Sequence, residues 1–133
     1  MYMDKNELTQ KNNFNLMGLQ NQVMEAALEV QKNIGPGFSS KDYCRALAYE
    51  LKLRGIPYES EKSVNLPYKG NIAGQYQLDF VVDGRMIVTI LSAEEISDSD
   101  QSKLRSFLKA LNLQSGIVVN FASEKVEIKA VHR

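Results

Sequence analysis

The chain has 133 residues, of which 44% are hydrophobic and 24% are charged, so it is long enough to bury one core. Lysine plus arginine equals aspartate plus glutamate, with 16 of each, so the net charge does not indicate a nucleic-acid partner. A local basic patch is compatible with this balance. No apolar run approaches the ~18 residues of a membrane span, so no membrane partner is expected.

The single cysteine, Cys44, excludes an intrachain disulfide. One cysteine suits a reducing compartment, and we expect a cytoplasmic protein. The only histidine, His132, is next to the C-terminus, so a catalytic cysteine–histidine pair is not expected. We interpret Cys44 as a small, buried residue of a helix.

Residues 1–14 are polar and lack the apolar segment of a signal peptide. We interpret them as a flexible lead-in to a single domain that spans residues 15–133. Apolar residues at helical spacing predict a first helix over Asn15–Ile34. The Gly-Pro-Gly segment that follows, Gly35–Gly37, ends this helix.

A second helix is predicted to begin near Ser39. Either Ser39 or Ser40 can act as its N-cap, with Asp42 in the first turn, where the helix dipole favours a negative charge. Gly55 is a suitable C-terminal stop. The expected buried stripe of this helix consists of Tyr43, Leu47 and Leu51.

The middle of the chain alternates between apolar and polar residues, which is typical of β-strands. A first strand is predicted over Ser63–Tyr68, and the segment AGQYQLDFVV predicts a second. The segment GRMIVTILS predicts a third. The second strand is expected to have two faces, Tyr76, Leu78, Phe80 and Val82 on one and Gln75, Gln77, Asp79 and Val81 on the other.

A third helix is predicted in SDSDQSKLRSFLKALNL, where Ser97 or Ser99 can cap the N-terminus, with Asp98 and Asp100 at its positive end. GIVVNF predicts a strand that is buried on both faces, and KVEIKAV predicts a final edge strand. Two helices, three strands, one helix and two strands in this order predict an α/β or α+β fold. We expect a mixed central sheet of about five strands flanked by helices.

The segment AALEVQKNIGPGFSSKDYCRALAYELKLRGI resembles the start of the GxxExxY family, which carries Glu-Val-His, Gly-Pro-Gly and then Gly-x-x-Glu-x-x-Tyr. LPYKGNIAGQYQLDFVV, MIV and FLKALNLQSGIVVNF resemble later parts of the family. The resemblance therefore covers about Leu16–Val131. The family is grouped with the PD-(D/E)XK nucleases, so the resemblance implies a restriction-endonuclease-like core.

The resemblance also implies a site chemistry. In PD-(D/E)XK nucleases an aspartate on one strand and Glu-x-Lys on the next lie on one face. Two carboxylates hold Mg²⁺ through oxygen ligands, and the metal polarises the phosphate and helps to ionise a water. The lysine orients that water or stabilises the developing negative charge.

The aspartate of this pattern falls on Asp79, whereas the glutamate falls on Thr89 and the lysine on Leu91. A three-residue turn, Asp83–Arg85, sets Asp79 opposite Thr89 and puts all three positions on one face. A two-residue turn sets Asp79 opposite Val88 instead. We predict the three-residue turn.

The family's other site positions are mostly changed as well. Ser40 stands in place of the glutamate of Gly-x-x-Glu, Lys103 in place of a glutamine and Gln31 in place of the histidine, while Glu29 is retained. No catalytic set is intact, and no cofactor or metal is expected. A metal, if bound, would be held by Asp79 with Glu29. The vestigial pocket is expected to consist of Glu29, Ser40, Asp79, Thr89, Leu91 and Lys103.

These changes favour a catalytically degenerate nuclease-like domain that is not an enzyme and serves as an interaction or nucleic-acid-associated binding module. Thr89 is a poor Mg²⁺ ligand, and Leu91 carries neither charge nor a hydrogen-bond donor. The alternative is an active Mg²⁺-dependent nuclease with migrated ligands. In that alternative Glu29, Glu94 or Glu95 supplies a carboxylate and Lys103 replaces the lysine.

The sequence does not name a partner. One hypothesis is nucleic-acid binding through a basic stripe of Lys103, Arg105, Lys109, Lys125, Lys129 and Arg133. Another is a homodimer, formed through the exposed edge of the last strand or through the apolar side of the first helix.

Overall fold

The computed structural model describes the backbone of residues 5–122 and 124–133, and the side chains from residue 16 onward within those ranges. Its three helices are α1 (Lys5–Ile34), α2 (Ser40–Leu53) and α3 (Asp98–Leu111). Its five strands are β1 (Tyr58–Tyr68), β2 (Asn71–Val82), β3 (Met86–Leu91), β4 (Ser115–Asn120) and β5 (Glu127–His132).

Helix α1 begins at Lys5 rather than at Asn15, so it includes most of the segment that was interpreted as a lead-in. Residues 1–4 lie outside the described residues. The apolar stripe that predicted the helix begins only at Leu16, which explains why the earlier turns were not predicted. Among the described helices, none combines the length and the apolar character that crossing a membrane requires.

Helices α2 and α3 each begin with a capping box. Ser39 caps α2 and exchanges hydrogen bonds with Asp42, and Ser97 caps α3 and exchanges hydrogen bonds with Asp100. The structure thus selects Ser39 and Ser97 from the two candidates expected at each helix. Gly55 follows α2 with a φ of 69°, as a C-terminal stop requires.

The five strands form one mixed sheet in the order β1-β2-β3-β4-β5. Neighbouring strands are antiparallel except for β3 and β4, which α3 connects as parallel strands. The predicted fold class and the final edge strand are confirmed. Strand β1 begins at Tyr58 rather than at Ser63. It is the other edge of the sheet, and its first residues are mostly exposed and polar, so they lack the apolar alternation that predicts a strand.

The central strands of the sheet, β3 and β4, are covered on both faces. Helices α1 and α2 cover one face, where the ring of Tyr43 stacks on Phe121 with 4.4 Å between the centroids. The hydroxyl of Tyr43 donates to the carbonyl of Gly35 at 2.7 Å and so fixes the loop between the two helices. Helix α3 covers the other face, where Leu104 and Leu108 pack against β3 and β4.

The expected division of β2 into two regular faces is wrong at one point. Tyr76 and Leu78 pack on the α3 side, whereas Phe80 packs on the α1–α2 side although it follows Leu78 by two residues. The interruption lies at Asp79, and the β1 residue opposite this point, Glu61, has a φ of 53°. A positive φ at a non-glycine residue marks a local distortion of the strand. Asp79 therefore lies where β2 changes the face that it presents.

Candidate functional site

The turn between β2 and β3 has the three-residue form that was predicted. Val82 pairs with Met86, and the amide of Arg85 donates to the carbonyl of Val82 at 3.0 Å. Asp83 and Gly84 adopt positive φ angles of 54° and 64°. This register is the one that sets Asp79 and Thr89 across from each other.

The regular pairing of β2 with β3 ends at Phe80 and Val88, one residue before Asp79 and Thr89. Beyond this point the amide of Ile90 on β3 donates to a side chain of β2 instead of to a backbone carbonyl. The acceptor is the Oδ2 of Asp79, at 2.8 Å. The two strands therefore separate at Asp79, and a cavity opens between them and α3.

Cys44 on α2 approaches Asp79 from the other side of the sheet, and the two side chains influence each other's pKa. Burial raises the pKa of Asp79 above its ordinary value, although the hydrogen bonds from Ile90 and Cys44 act to lower it. Burial and the nearby negative charge of Asp79 raise the pKa of the Cys44 thiol to about 12, so this thiol is not a thiolate at neutral pH.

The cavity between β2, β3 and α3, which we call the site cavity, measures about 150 Å³. It brings together four of the six expected pocket residues, namely Asp79, Thr89, Leu91 and Lys103. Aromatic and aliphatic side chains complete the lining. The expectation that Asp79, Thr89 and Leu91 share one face therefore matches the geometry.

Lys103 extends from α3 over the aromatic part of the site cavity. Its Nζ lies 4.9 Å from the ring centroid of Tyr76 and 5.9 Å from that of Phe107, and the two rings lie 5.3 Å apart. A lysine over an aromatic face is held by cation–π attraction of roughly 0.5–1 kcal/mol at an exposed site. The ammonium group is thus positioned at the mouth of the site cavity.

The other two expected pocket residues lie elsewhere. The carboxylate of Glu29 accepts a hydrogen bond from Asn33 on the same helix at 3.0 Å, and Glu29 does not line the site cavity. Ser40 is the first residue of α2 and is also absent from the lining. A ligand set of Asp79 with Glu29 is therefore not assembled.

Glu94 and Glu95 are exposed in the loop after β3. The side chain of Asn120 fixes this loop, because it donates to the carbonyl of Ala93 at 2.9 Å and accepts from the amide of Ala93 at 3.1 Å. Neither glutamate lines the site cavity. The alternative of an active nuclease, in which this loop supplies a carboxylate, therefore gains no support from the position of Glu94 and Glu95.

One acidic residue of the site cavity was not predicted from the sequence. Asp100 was interpreted only as a residue of the positive end of α3, and it also lines the site cavity. Its Oδ2 accepts a hydrogen bond from the amide of Ser97 at 2.9 Å, so one carboxylate oxygen of Asp100 already takes part in the capping box of α3. The available signal was its spacing, since Asp100 precedes Lys103 by one helical turn.

The expected basic stripe divides between the two sides of α3. Lys103 contacts Tyr76 of β2, whereas the Nε of Arg105 donates to the carbonyl of His132 at 3.3 Å, beside β5. Arg133 bonds the side chain of Asn112 at the end of α3. Lys103 therefore belongs to the site cavity, and the cations near β5 form a separate group.

The donor set of the site cavity does not fit a Mg²⁺ ion. Mg²⁺ needs oxygen ligands in octahedral geometry and more than one anionic partner. Asp79 and Asp100 are the carboxylates there, and backbone amides already bond both. Leu91 supplies no donor atom. Among the described residues, no three histidine, cysteine or acidic side chains are grouped as a metal site.

The mixed sheet, the α3 crossover between β3 and β4, and the cavity at Asp79 define a restriction-endonuclease-like domain. The chain belongs to the PD-(D/E)XK nuclease superfamily, whose family model matches residues 17–131. No curated protein is detectably similar to it in sequence.

A solved structure supports the fold assignment. The crystal structure titled "Crystal structure of SSO0001" matches with a TM-score of 0.57 and 13% sequence identity, over 70% of this chain and 49% of that chain. This chain therefore spans about half the length of SSO0001. At this level of identity the likeness shows the fold alone.

Proposed function

We propose that this protein is a catalytically degenerate PD-(D/E)XK domain of the GxxExxY family, which binds a partner and does not cleave nucleic acid. The observation that carries the proposal is the composition of the site cavity opposite Asp79. Thr89 and Leu91 line it at the positions where the superfamily pattern has glutamate and lysine.

The chemistry of these two side chains supports the proposal. A threonine hydroxyl is a neutral ligand that does not replace a carboxylate on Mg²⁺. Leucine can neither orient a water nor stabilise a phosphoryl transition state. The hydrogen bonds to Asp79 also give this aspartate a structural role, since it closes the gap where β2 and β3 separate.

A titration with Mn²⁺, followed by calorimetry, tests the metal part of the proposal. Wild-type protein and the Asp79→Ala variant should show the same weak binding, because Asp79 and Asp100 each already accept a backbone amide hydrogen bond and no third ligand residue among those described joins them. Saturable binding by the wild type that the variant loses would overturn it. Circular dichroism of both proteins checks that the variant is folded.

Exposed aromatic and basic residues at the site cavity and along the β1–β2 hairpin support a role in nucleic-acid-associated binding. Tyr76 and Tyr68 are 38% and 62% exposed on the β1–β2 hairpin, and Lys103 and Lys69 lie over their rings at 4.9 and 5.4 Å. Exposed aromatic rings flanked by cations are suited to stacking with unpaired bases and to contacts with phosphates.

A binding measurement against salt concentration tests this role. Labelled single-stranded DNA or RNA should bind at low salt, and affinity should fall steeply as salt is added because counterions are released. Absence of binding at low salt would exclude nucleic acid as the partner and leave a protein partner as the ligand of this module.

An active nuclease with a migrated lysine is the second candidate function. The observation that favours it is the presence of Lys103 in the same cavity as Asp79 and Asp100. In this case Lys103→Gln would abolish a metal-dependent cleavage that the wild type shows. Lys109→Gln, on the same helix outside the site cavity, is the matched control.

A further inference from the structure

A second and larger cavity lies on the opposite side of Asp79, between α2, β1 and β2. It measures about 330 Å³, at the lower end of the ~300–1,000 Å³ of small-molecule sites. We call it the α2 cavity. It shares Gln77, Leu78 and Asp79 of β2 with the site cavity, but its remaining polar groups come from α2 and β1.

The wall formed by α2 is cationic. Lys41 and Arg45 are one helical turn apart, and both line the α2 cavity. Neither forms an ion pair with any described residue, whereas Arg54 at the end of α2 pairs with Glu25 and Glu50. Like charges at this spacing repel each other. Without an anion between them, Lys41 and Arg45 therefore destabilise α2.

The wall formed by the sheet is a set of hydrogen-bond acceptors. Glu61 lines it from β1, at the strand residue whose φ is 53°. Gln77 and Asp79 line it from β2, and Cys44 of α2 lines it as well. A backbone distortion of this kind is uncommon at a glutamate and redirects its side chain. The α2 cavity therefore has cations on one side and carboxylate acceptors on the other.

We propose that the α2 cavity binds a small organic anion. Its carboxylate or phosphate group lies between Lys41 and Arg45, and a hydroxyl or amino group at its other end donates to Glu61. Two neighbouring cations can hold one anion through charge-assisted hydrogen bonds. The site is independent of the proposed function, because it uses neither Thr89 nor Leu91 and involves no cleavage.

Isothermal titration with three probes tests the site. Glycerol 3-phosphate and glutamate carry both an anion and a donor group, and inorganic phosphate carries the anion without an organic body. We expect saturable binding of at least one of the two organic probes, with weaker binding of inorganic phosphate. The affinities of glycerol 3-phosphate and glutamate show whether the site prefers a phosphate or a carboxylate as its anionic group. No saturable binding of any probe up to about 10 mM would overturn the proposal.

Substitutions on α2 locate the binding. Arg45→Gln and Lys41→Gln should each weaken the best probe by about tenfold or more, since each removes a charge-assisted hydrogen bond. Lys52→Gln, on the same helix but outside the α2 cavity, should leave the affinity unchanged. Equal affinity of the wild type and the Lys41→Gln/Arg45→Gln double variant would overturn the proposed site.

The single cysteine provides a second readout, because Cys44 lines the α2 cavity. Methyl methanethiosulfonate adds a methylthio group to the sulfur and releases methanesulfinate. The thiolate is the reacting form, and the raised pKa of Cys44 keeps it scarce. The reaction is therefore followed at mildly alkaline pH with excess reagent. A saturating probe should slow this reaction, and the modified protein should bind the probe more weakly. An unchanged reaction rate in the presence of a probe that binds by calorimetry would place the probe elsewhere and overturn the proposal.

Discussion

The carboxylate of Asp79 accepts a hydrogen bond from the backbone amide of Ile90 at 2.8 Å, at the point where β2 and β3 stop pairing. The aspartate is therefore part of the sheet's own hydrogen bonding. Thr89, the residue opposite Asp79, offers no second carboxylate. This arrangement supports a structural role for Asp79, and the first prediction follows from it.

The charge of Asp79 should make folding depend on pH. Burial raises the pKa of its carboxyl above the ordinary value of 3.8. A carboxyl with a raised folded pKa adds stability that is fully present below the unfolded pKa and is lost as pH rises through the folded pKa. Asp79→Asn lacks this titration and keeps an oxygen that can accept from Ile90.

The stability of the wild type relative to Asp79→Asn should therefore decline as pH rises from about 4 and become constant above the raised pKa. Urea unfolding of both proteins at a series of pH values measures the difference. Glu94→Gln, at an exposed position of the loop after β3, is the control. A difference that grows in favour of the wild type with rising pH would contradict the assignment.

A methyl group at Gly116 should destabilise the contact between α3 and the sheet. A Cβ there would lie 3.0 Å from the carbonyl oxygen of Ile87 and 3.1 Å from a methyl group of Leu104. Gly116→Ala should cost about 1–3 kcal/mol in the free energy of unfolding, as overpacking of a core does.

Gly18→Ala is the matched comparison for that variant. Gly18 lies within α1, and a Cβ there meets nothing within 4 Å. Alanine should stabilise this helix by about 0.5–1 kcal/mol. Urea unfolding of both variants should give effects of opposite sign, and the same sign for both would show that the packing of α3 on Gly116 is wrong.

Removal of the N-cap of α3 should lower stability without changing the sheet. Ser97 Oγ accepts from the amide of Asp100 at 3.0 Å. Ser97→Ala should cost about 1 kcal/mol. Ser99→Ala, at an exposed position within the same helix, should have little effect. Thermal unfolding measures both, and equal effects would exclude the capping role.

The ring of Tyr76 should contribute to the binding of single-stranded nucleic acid. Tyr76→Ala removes a stacking surface worth about 1–3 kcal/mol per base and also removes one partner of Lys103. Fluorescence anisotropy with a labelled oligonucleotide should show weaker binding. Tyr49→Ala, at an exposed position on α2, is the control. Equal affinities of the two variants would remove Tyr76 from the binding surface.

Much of this architecture follows from local sequence signals. The serine caps of α2 and α3 precede acidic residues at the right spacing. The order of helices and strands follows from the periodicity of apolar residues. These features depend on residues that are close in sequence. The three-residue turn was predicted from the family resemblance, which requires Asp79, Thr89 and Leu91 to share a face.

Other features depend on tertiary contacts and were not predictable. Alternation assigns Leu78 and Phe80 to one face, but the distortion opposite Asp79 separates them. Glutamate has no preference for positive φ, so Glu61 gives no signal of that distortion. Asp100 reaches the site cavity only because of the way α3 packs on the sheet.

A cleavage assay tests the central claim most directly. The protein is incubated with Mg²⁺ or Mn²⁺ and with single- and double-stranded DNA and RNA, beside the Asp79→Ala variant. We predict no metal-dependent product from either protein, because Thr89 and Leu91 replace the second carboxylate and the lysine. Metal-dependent cleavage by the wild type that Asp79→Ala abolishes would contradict the claim.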